Sequence, residues 1–527
     1  MWQQNYTPIA GSLFWSSLVA AFPIAALLYA IGIRRVAAWR SSLMGLAAAL
    51  LVALAAYRMP PLLALDSALY GAAFGAFPIF WVIFWAIVLY RMTVETGKFE
   101  ILKNSIGHLT KDQSLQALLI AFAFGAFLEG AAGFGTPVAV AAAILAGLGF
   151  SAFYASGICL LANTAPVAFG SIGIPLVTLA ATTGLPLGDL SKYVGRLCAP
   201  VSLFIPTYLV LVMGGPRGLR RVWPAALVCG VSFAGMQFVI SNFVGPYLTD
   251  ILSSIAAITT LVILLQFWDP EGAVDHTRRF AWGEVIGAWA PYILLVFFIL
   301  LWSLGPVNAW LTRFSVIVGW PGLHKMVQQA PPIVAKVMPY AALYRMRFLA
   351  ESGTACMVST LAAAIVLRVS PRRFAGMVRD SAIQLRFSFI SITAVLALAF
   401  VMNYSGATAT LGLAFASTGA VFPFFSALLG WLGVFLTGSD TSSNALFGGL
   451  QEVTANRLGL NPAMMAAANS AGGVMGKMIS LQSIAVAAAA AGLKPEEEPK
   501  LFRFTLQHSI FLAAVVGGLA LVYAYVR

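Results

Sequence analysis

Two short stretches of this sequence concentrate groups able to bind and release a small polar solute. The first reads Leu128-Glu129-Gly130-Ala131-Ala132-Gly133-Phe134-Gly135-Thr136-Pro137. Its glycines permit a sharp turn and close ligand approach, and Pro137 suits the first turn of a following helix. The free N–H groups and dipole of such a helix start attract a carboxylate, which makes Gly133, Gly135 and Thr136 candidate substrate contacts. The second stretch reads Leu436-Thr437-Gly438-Ser439-Asp440-Thr441-Ser442-Ser443-Asn444. Ser439, Thr441, Ser442 and Asn444 offer short-range hydrogen bonds to a small solute. A solvent-exposed turn is the competing account, and the absence of flanking basic residues weighs against it.

Glu129 and Asp440 are the acids closest to these stretches. A carboxyl group in low dielectric holds its proton more tightly than in water, so either residue is a candidate proton-coupling group. Asp440 lies in a Ser-Asp-Thr-Ser run that also reads as a helix cap. Glu129 ends an apolar run without such a reading and ranks first. Asn163 and Asn469 are expected at equivalent breaks in two membrane-crossing helices, where they bind a substrate hydroxyl or hold unwound backbone together. Lys477 is a cation in an otherwise apolar segment. It pairs with a substrate carboxylate or a buried acid, or else it snorkels to an interface.

Enzyme chemistry finds no support. The four histidines (His108, His276, His324, His508) all lie outside the Gly-rich regions. No paired metal ligands and no Ser/His/acid set can be built from them, so no catalytic residue and no metal site are expected. Cys159, Cys198, Cys229 and Cys356 sit in apolar runs without ligand spacing and read as small hydrophobes, with neither disulfide nor metal.

The elements that position these residues are membrane helices. Of 527 residues, 60% are hydrophobic and 9% charged, with mean hydropathy +0.90; a soluble domain carries roughly a quarter charged residues. Apolar runs of about 20 residues, the length of a bilayer crossing, recur throughout. The first, Ser12 to Ile33, has no basic residue before it and is too long for a signal-peptide core. Continuous spans are expected near 12–33, 39–57, 69–90, 193–213, 222–242, 247–265, 284–304, 349–367, 387–403 and 508–526. Regions 114–185 and 419–491 are apolar but cut repeatedly by Gly, Pro, Ser, Thr and Asn. Each parses as a re-entrant hairpin followed by one broken crossing helix. The expectation is an all-α polytopic membrane protein with about 12 transmembrane helices plus two re-entrant hairpins.

The net charge of +13 does not point to nucleic acid, because the basic residues lie in short clusters between spans. With the N-terminus outside, twenty of the 31 Lys and Arg fall in six cytoplasmic loops and nine on the opposite side, as the positive-inside rule requires. Both termini are then outside. Segment 91–113 reads as an amphipathic surface helix, and 305–347 as a long outer loop. The two broken regions also resemble each other. Gly125-Ala126-Phe127-Leu128-Glu129-Gly130 aligns with Gly433-Val434-Phe435-Leu436-Thr437-Gly438, 308 residues later. Ala162-Asn163-Thr164-Ala165 aligns with Ala468-Asn469-Ser470-Ala471, 306 residues later. The first hairpin enters from inside and the second from outside, which makes an inverted-topology repeat. It divides the chain into a first half, 1–265, containing broken region 114–185, and a second half, 266–527, containing broken region 419–491.

At these residues the sequence resembles the lactate permease family, which includes L-lactate and glycolate permeases. The motifs are Glu129-Gly130-Ala131-Ala132-Gly133-Phe134-Gly135-Thr136-Pro137-Val138, Asn163-Thr164-Ala165-Pro166-Val167-Ala168-Phe169-Gly170 and Gly438-Ser439-Asp440-Thr441-Ser442-Ser443-Asn444-Ala445-Leu446-Phe447, extended by Gly472-Gly473-Val474-Met475-Gly476-Lys477-Met478-Ile479-Ser480 and Leu501-Phe502-Arg503-Phe504-Thr505. The 305–347 loop and the span after it match less clearly. The resemblance implies proton-coupled symport of lactate, glycolate or a related small 2-hydroxycarboxylate across a bacterial inner membrane. The proton is the coupling ion and no further cofactor is implied. The partners are the small anion and the lipid bilayer, without nucleic acid. A sodium-coupled carboxylate or dicarboxylate carrier is the alternative, since unwound backbone carbonyls can coordinate sodium.

Overall fold

The computed structural model describes residues 1–107, 109–133, 135–270 and 282–526. His108, Phe134, His276, Arg278, Arg279, Arg527 and the side chain of Thr136 lie outside the described residues. Among the described residues, eleven helices are long and apolar enough to cross a membrane, or twelve if one strongly bent pair counts as a span.

The first crossings are α1 (Leu13–Gly32), capped by the Ser12 hydroxyl, and α2 (Ala38–Ala55). The expected span 69–90 is longer: α3 (Pro61–Phe74) and α4 (Trp81–Glu95) flank a break at Gly75–Phe80, where Phe77 turns extended ahead of Pro78. A short helix, α5 (Lys98–Gly107), follows and buries Phe99 and Leu102. The first broken region holds α6 (Gln113–Gln116), continued through Ala117–Phe124 into α7 (Gly125–Ala131), then a tip, α8 (Thr136–Gly147), α9 (Ala152–Ala162) and α10 (Gly170–Thr183). α9 and α10 meet at 63°. This is the expected hairpin followed by a broken helix.

α11 (Leu187–Phe243) has 57 residues, about 85 Å at 1.5 Å per residue, far beyond the roughly 30 Å of a bilayer core. Its backbone leaves the helix at Gly215 (φ 61°) and Val222. The two arms fold against each other: Ser191 Oγ donates to Ser241 O at 2.8 Å, and Arg196 Nε to Asn242 Oδ1 at 3.0 Å. These are the two crossings expected at 193–213 and 222–242. Next come α12 (Thr249–Phe267), α13 (Trp282–Ser303), the short α14 (Gly305–Thr312), α15 (Ser352–Val366) and α16 (Pro371–Ser405).

Region 305–347 departs from a plain loop. The strands β1 (Trp2–Gln3), β2 (Val316–Gly319), β3 (Val327–Gln329), β4 (Met338–Pro339) and β5 (Leu343–Met346) make two small sheets. β1 runs parallel to β3, which ties the N-terminus to this region. The membrane part is all helical, and this face carries a small β cap.

The second broken region begins after α17 (Ala407–Phe415) and a break at Gly419 (φ 60°). α18 (Phe422–Thr437), a tip, α19 (Asp440–Leu458), α20 (Pro462–Lys477) and α21 (Leu481–Ala491) repeat the pattern of the first, and α22 (Glu498–Tyr525) closes the chain. α18 and α20 approach through glycine. A Cβ on Gly430 would overlap the Asn469 carbonyl, and one on Gly472 the Ala427 backbone. Small residues permit such close packing where no hydrophobic effect drives helices together.

Contacts fix the two faces and the inversion. Arg221 pairs with Asp112, Arg373 donates to the Glu95 carbonyl, and Arg91 Nε donates to Ser381 Oγ at 3.1 Å, so the base of the first hairpin lies on the basic face. Asn461, at the base of the second hairpin, donates to Tyr193 OH at 2.9 Å, just beyond the far end of α10. At the other end, Ser156 Oγ in α9 donates to Ala487 O in α21 at 3.1 Å. The hairpins therefore enter from opposite faces. Under the repeat offset α8 maps onto α19 and α10 onto α21; α10 packs on α19, and α21 packs reciprocally on α8. Reciprocity of this kind is what a two-fold axis between repeats requires.

Candidate functional site

The two tips and the two helix breaks meet at one cavity of about 220 Å³. That is below the roughly 300–1,000 Å³ of drug-sized pockets and fits a solute of a few heavy atoms. Each half-helix that starts here does so for a local reason. At the first tip Gly133 (φ 60°) and Gly135 (φ 83°) turn the chain left-handed, and Pro137 stands in the first turn of α8. At the second, Gly438 (φ 72°) ends α18 and the Ser439 hydroxyl caps α19, accepting from Ser442 N at 3.2 Å. Ser480 caps α21 in the same way. α10 starts through a left-handed run, Ser171, Ile172 and Gly173, a costly backbone for a β-branched residue and one that clusters at functional sites. Ser171 Oγ donates to Ala132 O at 3.1 Å, which locks this break to the first tip.

Four helix N-termini, two from each repeat, thus face one cavity, lined by Gly135, Gly170, Ser171, Ser439, Thr441, Ser442 and Ser483. First-turn N–H groups have no intrahelical acceptor. Each N-terminus favours an anion by about 0.3–1 kcal/mol, more when partly buried. Lys477 ends α20, lines the cavity and donates from Nζ to Gly438 O at 2.7 Å. It holds the second tip rather than snorkelling away, and its charge reaches both Glu129 and Asp440.

The two acids differ in their surroundings. Glu129 is 4% exposed, and its Oε2 is buried without a hydrogen-bond partner among the described residues. The Asn163 amide faces it, yet closes no bond of ordinary geometry, leaving both amide atoms unpartnered. Asp440 Oδ2 accepts from Ser470 Oγ at 2.7 Å and Asn444 Nδ2 at 3.2 Å. Asn444 Nδ2 also reaches Pro175 O at 3.1 Å, Asn469 Nδ2 donates to Asn444 Oδ1 at 2.9 Å, and Gln451 Nε2 donates to Asn469 Oδ1 at 3.1 Å. Capping of α19 falls to Ser439, so Asp440 is free of that role.

Of the residues expected here, Glu129, Gly135, Ser439, Asp440, Thr441, Ser442 and Lys477 line the cavity. Gly133, Asn163, Asn444 and Asn469 stand behind it. Gly133 packs on Ser171, where a Cβ would collide with the hydroxyl. The expected equivalence of the two asparagines does not hold. Asn163 caps the end of α9 at the break, whereas Asn469 lies inside α20, two turns before its break at 478–480. The second break comes later because the closely packed α18–α20 pair keeps α20 helical past the aligned position. Gly170, Ser171, Gln482 and Ser483 add polar lining that the sequence reading missed; the Gly-Ser-Ile-Gly-Ile-Pro run at 170–175 carries the signal for the first two.

The cavity extends to the basic face at Trp39 of α2 and Phe387 of α16, whose rings stack at 5.3 Å. Toward the other face it is closed. Thr182 Oγ1 donates to Asn444 O at 3.4 Å, and Asn403 Nδ2 donates to Thr182 O at 3.1 Å. Beyond this seal a second polar cavity of about 400 Å³ is lined by Gln4, Thr183, Gln329, Asn403, Glu452 and Asn456.

Comparison with known proteins agrees with this architecture. The profile of the L-lactate permease family matches residues 16–527. The L-lactate permease of Bacillus subtilis (strain 168) is 43% identical over 548 residues, covering 98% of this chain and 97% of that protein. The glycolate permease GlcA and the L-lactate permease of Escherichia coli (strain K12) are each 42% identical, covering 100% of this chain and 98% of theirs. These relatives are all named permeases. A multi-pass protein of the bacterial inner membrane, with a cavity built from two inverted broken repeats, the chain belongs to the L-lactate permease family.

Proposed function

We propose that this chain is a proton-coupled symporter of lactate or a related small 2-hydroxycarboxylate such as glycolate, working by alternating access. The observation that carries the reading is the convergence of four half-helix N-termini and Lys477 on one small cavity beside an unpartnered buried acid. The substrate carboxylate sits on these N-termini and Lys477. Ser439, Thr441, Ser442 and Ser483 hydrogen-bond the hydroxyl. Glu129 carries the coupling proton, because an ionised acid beside an anionic substrate is unfavourable and neutralising it raises affinity. Motion of one repeat against the other then opens the Thr182–Asn403–Asn444 seal while the Trp39–Phe387 side closes. The test is uptake into proteoliposomes by a panel of lactate enantiomers, glycolate and dicarboxylates under an imposed proton or sodium gradient. Lactate or glycolate accumulation driven by protons alone is expected; accumulation driven by sodium alone would contradict the reading.

A further inference from the structure

Behind the first tip lies a second acid that neither binds substrate nor supports the backbone. Asp250 stands in the first turn of α12 and is 1% exposed, and both its carboxyl oxygens are buried without a hydrogen-bond partner among the described residues. An acid in a first helical turn is often a cap, but this carboxyl accepts from no backbone N–H. An uncompensated buried charge costs several kcal/mol, and a buried polar group without a partner calls for a reason beyond packing.

The placement supplies one. α7 lies directly on α12 here: a Cβ on Gly130 would come within 2.8 Å of Asp250 Cβ and 3.1 Å of Ile251 N. Glu129, the neighbour of Gly130, is close enough for the two carboxyls to act on each other's charge. Among the described residues on the elements packed against α12, the other titratable group near Asp250 is the Cys198 thiol of α11. α10 and segment 113–124 contribute no titratable residue. On the side away from Glu129, residues 244–248 lead to the face that bears the β cap. There Tyr247 neighbours Ser352, Glu351 and Arg347. Glu129 lines the cavity that reaches the basic face, while Asp250 does not line it. The two acids therefore stand in series between that cavity and the opposite face.

We infer that Asp250 is a second proton-binding residue, a relay through which Glu129 exchanges its proton with the face opposite the cavity mouth. This rests on the proton-coupled reading above. In the relay step the O–H bond of Asp250 breaks, the proton passes to the Glu129 carboxylate, and Asp250 is reprotonated from the far face. Neighbouring carboxyls of this kind titrate as a pair. The proton then has a path that bypasses the substrate, which enters by the seal of α10, α16 and α19.

Two measurements on the full-length protein in lipid test this. In pH-difference infrared spectroscopy, the carbonyl stretch of a protonated carboxylic acid is lost in Asp250→Asn. In Glu129→Gln the Asp250 band remains, but the pH at which it titrates moves. In proteoliposomes, Asp250→Asn lowers lactate accumulation under a proton gradient at least about ten-fold, the scale of a lost proton-transfer group, while lactate counterflow persists and reports a folded carrier. An unchanged infrared spectrum in Asp250→Asn, or full gradient-driven accumulation by it, would overturn the relay. A wild type that ignores the proton gradient yet shows the Asp250 band coupled to Glu129 would refute the symport reading and leave the paired titration standing.

Discussion

The two hairpin tips are related by an internal repeat, yet their acids are built into different surroundings. Asp440 is tied by Ser470 and Asn444 into a network that runs through Asn469 to Gln451 and anchors the second tip to α20 and α10. Among the described residues Glu129 has no such donors: it faces an unbonded amide in Asn163, the charge of Lys477, and a second acid behind it. A carboxylate held by two donors is stabilised as the charged form, and hydrogen bonds to charged groups contribute about 1.5–3 kcal/mol each. A carboxyl with no donor gains most by taking up a proton. The two tips are similar frames that differ in hydrogen bonding, and on the proposed reading this difference divides the work, with the first tip handling the proton and the second holding the anion.

This division can be broken at several points. The largest effect is expected from Lys477→Ala, which removes the cation facing both acids and frees the Gly438 carbonyl. On the proposed reading Lys477 pairs with the substrate carboxylate, and truncating one partner of such a charged pair costs about 2–5 kcal/mol, so the apparent Kd for lactate, read by binding to detergent-solubilised protein, rises at least about 30-fold. Next, Asp440→Asn weakens lactate binding about ten-fold by loosening the second tip, roughly the loss of one charge-assisted bond. Proton-driven accumulation relative to counterflow stays at the wild-type ratio if, as proposed, coupling resides on the first tip. Gly472→Ala drives a methyl into the Ala427 backbone; overpacking of this kind costs about 1–3 kcal/mol and appears as a lower Tm. The smallest effect separates the caps. Ser439→Ala removes the side-chain cap of α19 and costs about 1 kcal/mol, with a correspondingly small loss of stability. Gly135 caps α8 without a side chain, so the first tip has no counterpart to that loss.

The paired regions were legible in the sequence because apolar arms interrupted by Gly, Pro and Ser/Thr cannot form unbroken crossings, and the offset of 308 residues placed them in register. The basic loops located the faces for the same reason: charge stays out of the bilayer. What escaped the sequence depends on contacts between distant segments. Asn469 aligns with Asn163, but the α18–α20 contact carries α20 two turns past the aligned break. Ser171 takes its place only because Gly133 of the first tip packs against it. The β cap rests on strands of two to four residues, too short to show alternation. Asp250 lies within an apolar span, but nothing in the sequence places it beside Glu129, 121 positions away.

The central claim is that Glu129, and not Asp440, couples the proton to the substrate. Its most direct test is the ratio of proton-gradient-driven lactate accumulation to lactate counterflow, measured side by side for wild type, Glu129→Gln and Asp440→Asn in proteoliposomes. The account predicts that Glu129→Gln abolishes accumulation and still exchanges lactate, while Asp440→Asn lowers both in proportion. Accumulation retained in Glu129→Gln, or selectively lost in Asp440→Asn, would contradict it.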